Sequence, residues 1–360
     1  MASDINLLNH AKVRAPLAVA RNRIGSFWRR LFGAIGRYRP LSPSETACGQ
    51  GDCVTFRGDI PVKAGGTYQQ RRLHFKKVRP AFETVENLVV TPGGAGWKDG
   101  VLFEKYSAGK PGLRRLLGDR KPVKTVSRGF VIQSEHIDTF GDWMSEYLAP
   151  LARIGAVDAP VYLPARFAAK PYVRRDAARL DIDFEPIHAP LLIEKASVVR
   201  QPKAVRYWTA EDVRALRAML NVSPPSPEQG SLLYLSRHDE PSEVAVRSHE
   251  CLLVEEMVRQ RGGKVLRTGT ASLEDYLKAA SDVETLLFDH GSAAYNMVYW
   301  QPKRVVEFVS DDWWMNSFLF FSDAIGVHDY TIIRGDLGPD HIRRLLTETL
   351  HQPVDADAAS

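Results

Sequence analysis

The chain has 360 residues, of which 44% are hydrophobic and 25% charged, with a net charge of +5 and three cysteines. That length suits two ordinary domains, and the composition sets aside both a disordered chain and a small disulfide-knit scaffold. No run approaches the roughly 20 apolar residues of a membrane span, and Met1–Ile5 lacks the basic-then-apolar order of a secretory leader, so a cytoplasmic location is expected.

Residues 1–50 form a basic segment. Between Lys12 and Arg39 every charged residue is Lys or Arg, while Ile24, Phe27, Trp28, Leu31, Phe32 and Ile35 recur at helical spacing. A basic helix with an aromatic apolar face can lie peripherally on the inner face of the cytoplasmic membrane. A flexible basic arm, or a helix docked on the protein's own body, fits the same pattern. No nucleic-acid module accompanies the charge, so no nucleic-acid partner is expected.

Residues 51–205 alternate strand-like and helix-like stretches. Gly93–Trp97 lacks the Gly-x-Gly-x-x-Gly order of a dinucleotide turn and reads as a loop. Strands are predicted at Gly129–Gln133, Ala159–Leu163 and Leu191–Val199, and helices through Trp143–Ile154 and Phe167–Leu180. The Pro-rich stretch Asn221–Gly230 lies near the boundary between units.

Residues 206–335 read more clearly as β-α-β-α-β-α-β. Strands at Leu232–Ser236, Lys264–Arg267, Thr285–Phe288 and Arg304–Phe308 alternate with helices over Ser242–Gly262, Leu273–Ala280 and Gly291–Trp300. Ser272 is a candidate N-cap. Such alternation predicts an α/β protein whose ligands bind at the carboxyl ends of parallel strands. Residues 336–360 carry a last helix and a tail. No Cys/His set has zinc spacing, and no metal or cofactor is implied.

The strongest chemical signal runs from Thr285 to Phe308. A strand enters His290-Gly291-Ser292, the small residues Gly291, Ser292 and Ala293 open a helix, and the next strand carries Glu307. Free N–H groups at a helix start favour phosphate. Ser292 adds a hydroxyl, Asn296 falls one α-helical turn further on the same face, and Glu307 is placed to take both hydroxyls of a ribose. The plainer alternative makes Gly291 a tight turn and His290 a core histidine.

These residues resemble glycosyltransferase family 61, which includes bacterial capsule and exopolysaccharide enzymes. The likeness is carried by His290-Gly291-Ser292 with Asn296 and Val305-Val306-Glu307. Upstream it continues in Tyr234-Leu235-Ser236-Arg237, Arg247, His249-Glu250 and Gly262-Gly263-Lys264-Val265. The resemblance implies a GT-B type fold, with two Rossmann-like lobes facing across a cleft. It also implies inverting, metal-independent transfer from a UDP-linked sugar to a glycan or lipid-linked glycan acceptor, in capsule, exopolysaccharide or lipopolysaccharide synthesis.

The donor-binding residues it implies are Arg237, Arg247, His290, Gly291, Ser292, Ala293, Asn296 and Glu307. Here Ser292 replaces alanine, His249 replaces asparagine, and a single shifted Arg247 stands for an arginine doublet, which leaves Arg237 as the stronger diphosphate ligand. A surface ion pair of Arg237 with Asp239 or Glu240 is the alternative. In the first lobe the family has Gly-His-Trp or Gly-His-Phe followed by an acid. This chain has Gly141-Asp142-Trp143 and Glu146, so Asp142 and Glu146 are the candidate catalytic acids.

Inverting transfer needs a base for the acceptor hydroxyl. Asp142 as that base competes with Asp142 as a helix N-cap. Weaker candidates are His136 and Asp138 near the acceptor, the aromatic string at Asp311–Met315, and Asp181-Ile182-Asp183, which reads as a solvated pair rather than a metal site. A sugar-nucleotide epimerase, a pyruvyl transferase or a non-catalytic sugar-nucleotide-binding subunit would fit similar lobes.

Overall fold

The computed structural model describes residues 53–64, 67–78, 81–103, 106–108, 121–134, 136–200, 208–240, 251–279, 283–309, 317–327, 329–334 and 338–351. The basic segment, Arg247, His249-Glu250, the Asp311–Met315 string and the tail beyond His351 lie outside them. The fold is mixed α/β, with two separate seven-stranded sheets among the described residues.

The first sheet comprises β3 (Ala81–Val90), β4 (Gly96–Lys98), β5 (Val101–Phe103), β6 (Lys124–Ile132), β7 (Val161–Pro164), β8 (Phe184–Ile187) and β9 (Leu191–Arg200), in the order β5-β4-β3-β9-β6-β7-β8. Strands β9, β6, β7 and β8 run parallel, and β3, β4 and β5 continue the sheet antiparallel. The chain leaves β6, crosses to β7 and β8, then returns to the other flank of β6 as β9. The strand order therefore reverses between β6 and β9.

The second sheet contains β10 (Leu232–Ser236), β11 (Lys264–Arg267), β12 (Thr285–Asp289), β13 (Arg304–Val309) and β14 (Asp329–Arg334), all parallel, in the order β11-β10-β12-β13-β14. Its reversal lies between β10 and β12. Strands β10, β12 and β13 are buried along their whole lengths, as expected where helices cover both faces of a parallel sheet. Strands β1 (Cys53–Ala64) and β2 (Thr67–Val78) were grouped by sequence with residues 51–205. Their backbone pairing instead runs through β1 to β14, at the edge of the second sheet.

Between β6 and β7 runs a continuous helical stretch: α1 (Phe140–Asp142), a π-helical turn (Trp143–Leu148) and α2 (Ala149–Ile154). Its N-cap is Thr139, not Asp142. The Thr139 hydroxyl accepts the Asp142 amide, and the Asp142 carboxylate accepts the Thr139 amide, which makes a capping box. Gly155, with φ of 82°, ends the stretch in a conformation that favours glycine.

One hydrophobic cluster joins the two sheets. It takes Phe130, Ile132 and Val161 from the first and Leu233, Phe288 and Val305 from the second. Trp208 is buried in this cluster, its ring centroid 4.6 Å from that of Phe321 and 5.5 Å from that of Tyr295. No helix among the described residues is long and apolar enough to cross a membrane.

Candidate active site

At the reversal of the second sheet, β10 ends in Ser236-Arg237 and β12 in Asp289-His290. A parallel α/β sheet opens a crevice at this point. Asp289 ties the two strand ends together: its carboxylate accepts the Arg237 amide at 2.8 Å, the Tyr234 hydroxyl at 2.7 Å and the Cys251 thiol at 3.3 Å. Burial and then the Asp289 charge push the Cys251 thiol up to about 12, so it stays protonated and is no nucleophile.

Arg237 is buried. Its Nη1 donates to the His290 carbonyl at 2.6 Å, and Nε and Nη2 donate to Glu240 at 2.7 and 2.6 Å. The ion pair with Glu240 exists, then, but inside the crevice and not on the open surface, and it does not exhaust the guanidinium donors. A Cβ on Gly291 would meet Arg237 Nη1 at 3.0 Å. The backbone there is extended, so glycine at this position makes room for the guanidinium.

His290 and Glu307 are both buried, with Nδ1 and Oε1 2.5 Å apart. The other Glu307 oxygen accepts the Tyr330 hydroxyl at 2.6 Å. Burial, and then the Glu307 charge, push the Tyr330 phenol far up, so it remains a donor. With both oxygens engaged and no exposed surface, Glu307 does not present itself to a ribose; it fixes the His290 ring.

The helix after His290 is a 3₁₀ helix, Ser292–Tyr299, rather than an α-helix. With three residues per turn, i and i+3 eclipse. Ser292 therefore shares a face with Tyr295, and Asn296 aligns with Ala293, to whose carbonyl its Nδ2 donates at 3.0 Å. Asn296 is thus turned away from Ser292. Its buried Oδ1 has no hydrogen-bond partner among the described residues.

The reversal of the first sheet holds a second polar cluster. Past β6, the Glu146 carboxylate accepts the His136 amide at 3.1 Å and the Ser134 hydroxyl, and its Oε1 lies 3.2 Å from His136 Nδ1. Asp142 Oδ2 accepts the amides of Asp138 and Thr139 at 3.1 and 2.8 Å. One ligand-type atom from each of His136, Asp142 and Glu146 lies within 4.8 Å of the others. Asp181 and Asp183, by contrast, are exposed in the approach to β8.

The two clusters meet at Gly141. A Cβ there would lie 3.2 Å from Ser292 Oγ and 3.1 Å from Tyr295 Cε2. The helix leaving β6 thus begins against the 3₁₀ helix leaving β12. The family model described as Glycosyltransferase 61 matches residues 140–306, from the start of the first helix to the middle of β13. Over those residues the chain carries a glycosyltransferase family 61 domain. No curated protein matches it.

Within this family-61 domain, the structure gathers Arg237, His290, Gly291, Ser292, Ala293 and Asn296 at one sheet reversal, and Asp142 and Glu146 at the other. The sequence assigns no role to Asp289 or Tyr330, and names Tyr234 only as part of the motif that carries the resemblance. Their signal was faint: polar groups at the ends of strands that otherwise read as apolar. Glu255, the partner of the Ser236 hydroxyl, has no signal in the sequence reading. Glu255, in helix α3 (Cys251–Gln260), accepts from Ser236, Arg267 and Arg259 at 2.7–3.1 Å. Although burial alone pushes its carboxyl up, those donors hold it down to about 2.

Proposed function

We propose that this family-61 glycosyltransferase is an inverting enzyme of GT-B type. In this reading the two sheets serve as donor and acceptor lobes. The donor is a UDP-linked sugar, and the acceptor is a glycan or lipid-linked glycan in capsule, exopolysaccharide or lipopolysaccharide synthesis. The observation that carries the reading is the apposition of the two sheet reversals at Gly141 and Ser292, which brings two ligand crevices together where a donor and an acceptor must meet.

The diphosphate is assigned to the backbone N–H groups that open the Ser292–Tyr299 helix, with Arg237 supplying positive charge. Both are fixed before the sugar–phosphate bond breaks, so charge developing on the leaving oxygen is stabilised without reorganisation. Asn296 Oδ1, buried and unpaired among the described residues, is assigned to a donor hydroxyl or amide. Glu307 acts through His290. The helix N–H groups and Arg237 take the place of a bridging cation, so turnover is expected to survive EDTA. The basic segment from Lys12 to Arg39 is assigned to peripheral contact with the inner face of the cytoplasmic membrane, and no nucleic-acid partner is proposed.

A thermal-shift screen of UDP-glucose, UDP-galactose, UDP-N-acetylglucosamine, UDP-xylose, GDP-mannose and CMP-sialic acid tests donor class. A ligand at a hundred times its dissociation constant stabilises by about 2.7 kcal/mol. The expected result is a shift with UDP-linked sugars and UDP release that depends on added glycoside acceptors. Binding without acceptor-dependent release, or conversion of the nucleotide sugar alone, contradicts it.

A further inference from the structure

We propose that His136, held by Glu146, is the base that takes the proton from the acceptor hydroxyl. The proposal rests on the transferase reading above and goes beyond the two acids, Asp142 and Glu146, that the sequence singles out. Among the three neighbouring groups, access points to His136. Asp142 is buried, and its Oδ2 is engaged in closing the first helical turn. Glu146 is buried too, and one of its oxygens accepts both Ser134 and the His136 amide. The His136 side chain is 48% exposed.

The geometry also sets the tautomer. A carboxylate oxygen 3.2 Å from Nδ1 favours the tautomer with the imidazole proton on that nitrogen, which makes Nε2 the basic nitrogen of the ring. The same carboxylate grips the His136 backbone amide, so ring and main chain are fixed by one residue. The π-helical turn Trp143–Leu148 is the element that carries Glu146, and such turns are frequent at functional sites. His136 itself follows the carboxyl end of β6, beside the reversal between β6 and β9, where Gln133 N donates to the Val199 carbonyl at 3.0 Å.

In the transfer step the acceptor oxygen forms a bond to the anomeric carbon of the UDP-sugar. The bond from that carbon to the β-phosphate oxygen breaks, and its electron pair leaves with UDP. The acceptor proton passes to His136 Nε2, giving an imidazolium that faces the Glu146 carboxylate until the proton is lost to water. His136 is thus the catalytic residue, and Glu146 a positioning residue that acts through it.

The test uses the full chain and measures UDP release from UDP-glucose, UDP-galactose, UDP-N-acetylglucosamine and UDP-xylose, with water and with a panel of p-nitrophenyl glycosides as acceptors. UDP affinity is measured alongside by titration calorimetry. His136→Asn, whose amide can still donate to Glu146, is expected to lower kcat about a hundredfold or more with UDP affinity within twofold. Glu146→Gln is expected to lower kcat about tenfold or more with KM for the donor unchanged.

Added imidazole is expected to restore part of the rate to His136→Ala, a rescue that a structural role would not give. A His136→Asn enzyme within threefold of wild type overturns the proposal while leaving the transferase intact. Wild-type turnover abolished by EDTA and regained with manganese also overturns it, and makes the three side chains a cation site. A wild type that releases no UDP from any donor in the panel overturns the dyad as a transfer base. If it also binds no UDP, the transferase reading falls with it.

Discussion

Glu307 shows how a residue's place on a strand can be read correctly and its partner wrongly. Its position late in β13 sets it beside His290, past the end of β12. The ladder also brings Tyr330 of β14 beside it, and the two neighbours engage both carboxylate oxygens. Glu307→Gln removes the charge that fixes His290 while keeping the side chain's size. It is expected to cost about 1–3 kcal/mol of stability, the scale for a damaged buried hydrogen bond to a charged group. It should weaken UDP and 2′-deoxy-UDP by equal factors, because the carboxylate touches His290 and not the ribose. Titration calorimetry of both nucleotides decides; a larger loss for UDP would restore a ribose contact. Asp142 carries a similar lesson. It stands three positions after Thr139, the spacing of a capping box, and the sequence shows both residues, but only the β-region backbone of Thr139 makes Thr139 the cap.

At the scale of elements, strands and helices were legible wherever burial and periodicity agree. β7, β9, β10, β12 and β13 fall within two residues of their predicted runs, and β7, β10, β12 and β13 are buried along their whole lengths, as strands covered on both faces are. β6 begins earlier than its predicted run, over a half that is largely exposed. Ser272 caps as expected, its hydroxyl accepting the Asp275 amide at 3.2 Å. Two features were not legible. The 3₁₀ geometry of Ser292–Tyr299 and the π turn of Trp143–Leu148 depend on packing that local propensity does not encode, and each rotates side chains away from α-helical register. Edge attachment was the other, since the pairing of β1 with β14 spans most of the chain. The link from helix α3 to β11 through Glu255 gives a pH test. The folded carboxyl titrates at about 2, below the ordinary glutamate value of ~4.3. Its contribution is therefore complete above that ordinary value and is lost as pH falls towards 2. Melting curves between pH 5 and pH 2.5 should show wild type losing more stability than Glu255→Gln. Parallel slopes would mean that the arginines contribute nothing through this carboxylate.

At the scale of the whole molecule, two mixed sheets, each with a parallel centre, share one core, and their reversals meet at Gly141. Sequence alone set Arg237 and His290 at strand ends but could not show that meeting, because nothing local in Gly141 or Ser292 names its partner across about 150 residues. A side chain at Gly141 would strike Tyr295 and Ser292, which gives the glycine a reason beyond its own backbone. The central claim is that a nucleoside diphosphate occupies the crevice between β10 and β12, and UDP titrated calorimetrically against wild type and Arg237→Ala tests it most directly. The expected result is wild-type binding that is weakened about tenfold to a hundredfold in the variant, the loss of a charge-assisted hydrogen bond of about 1.5–3 kcal/mol, with melting profiles confirming that the variant is folded. Wild-type protein that binds no UDP, or a folded Arg237→Ala variant that binds it as well as wild type, would contradict the claim.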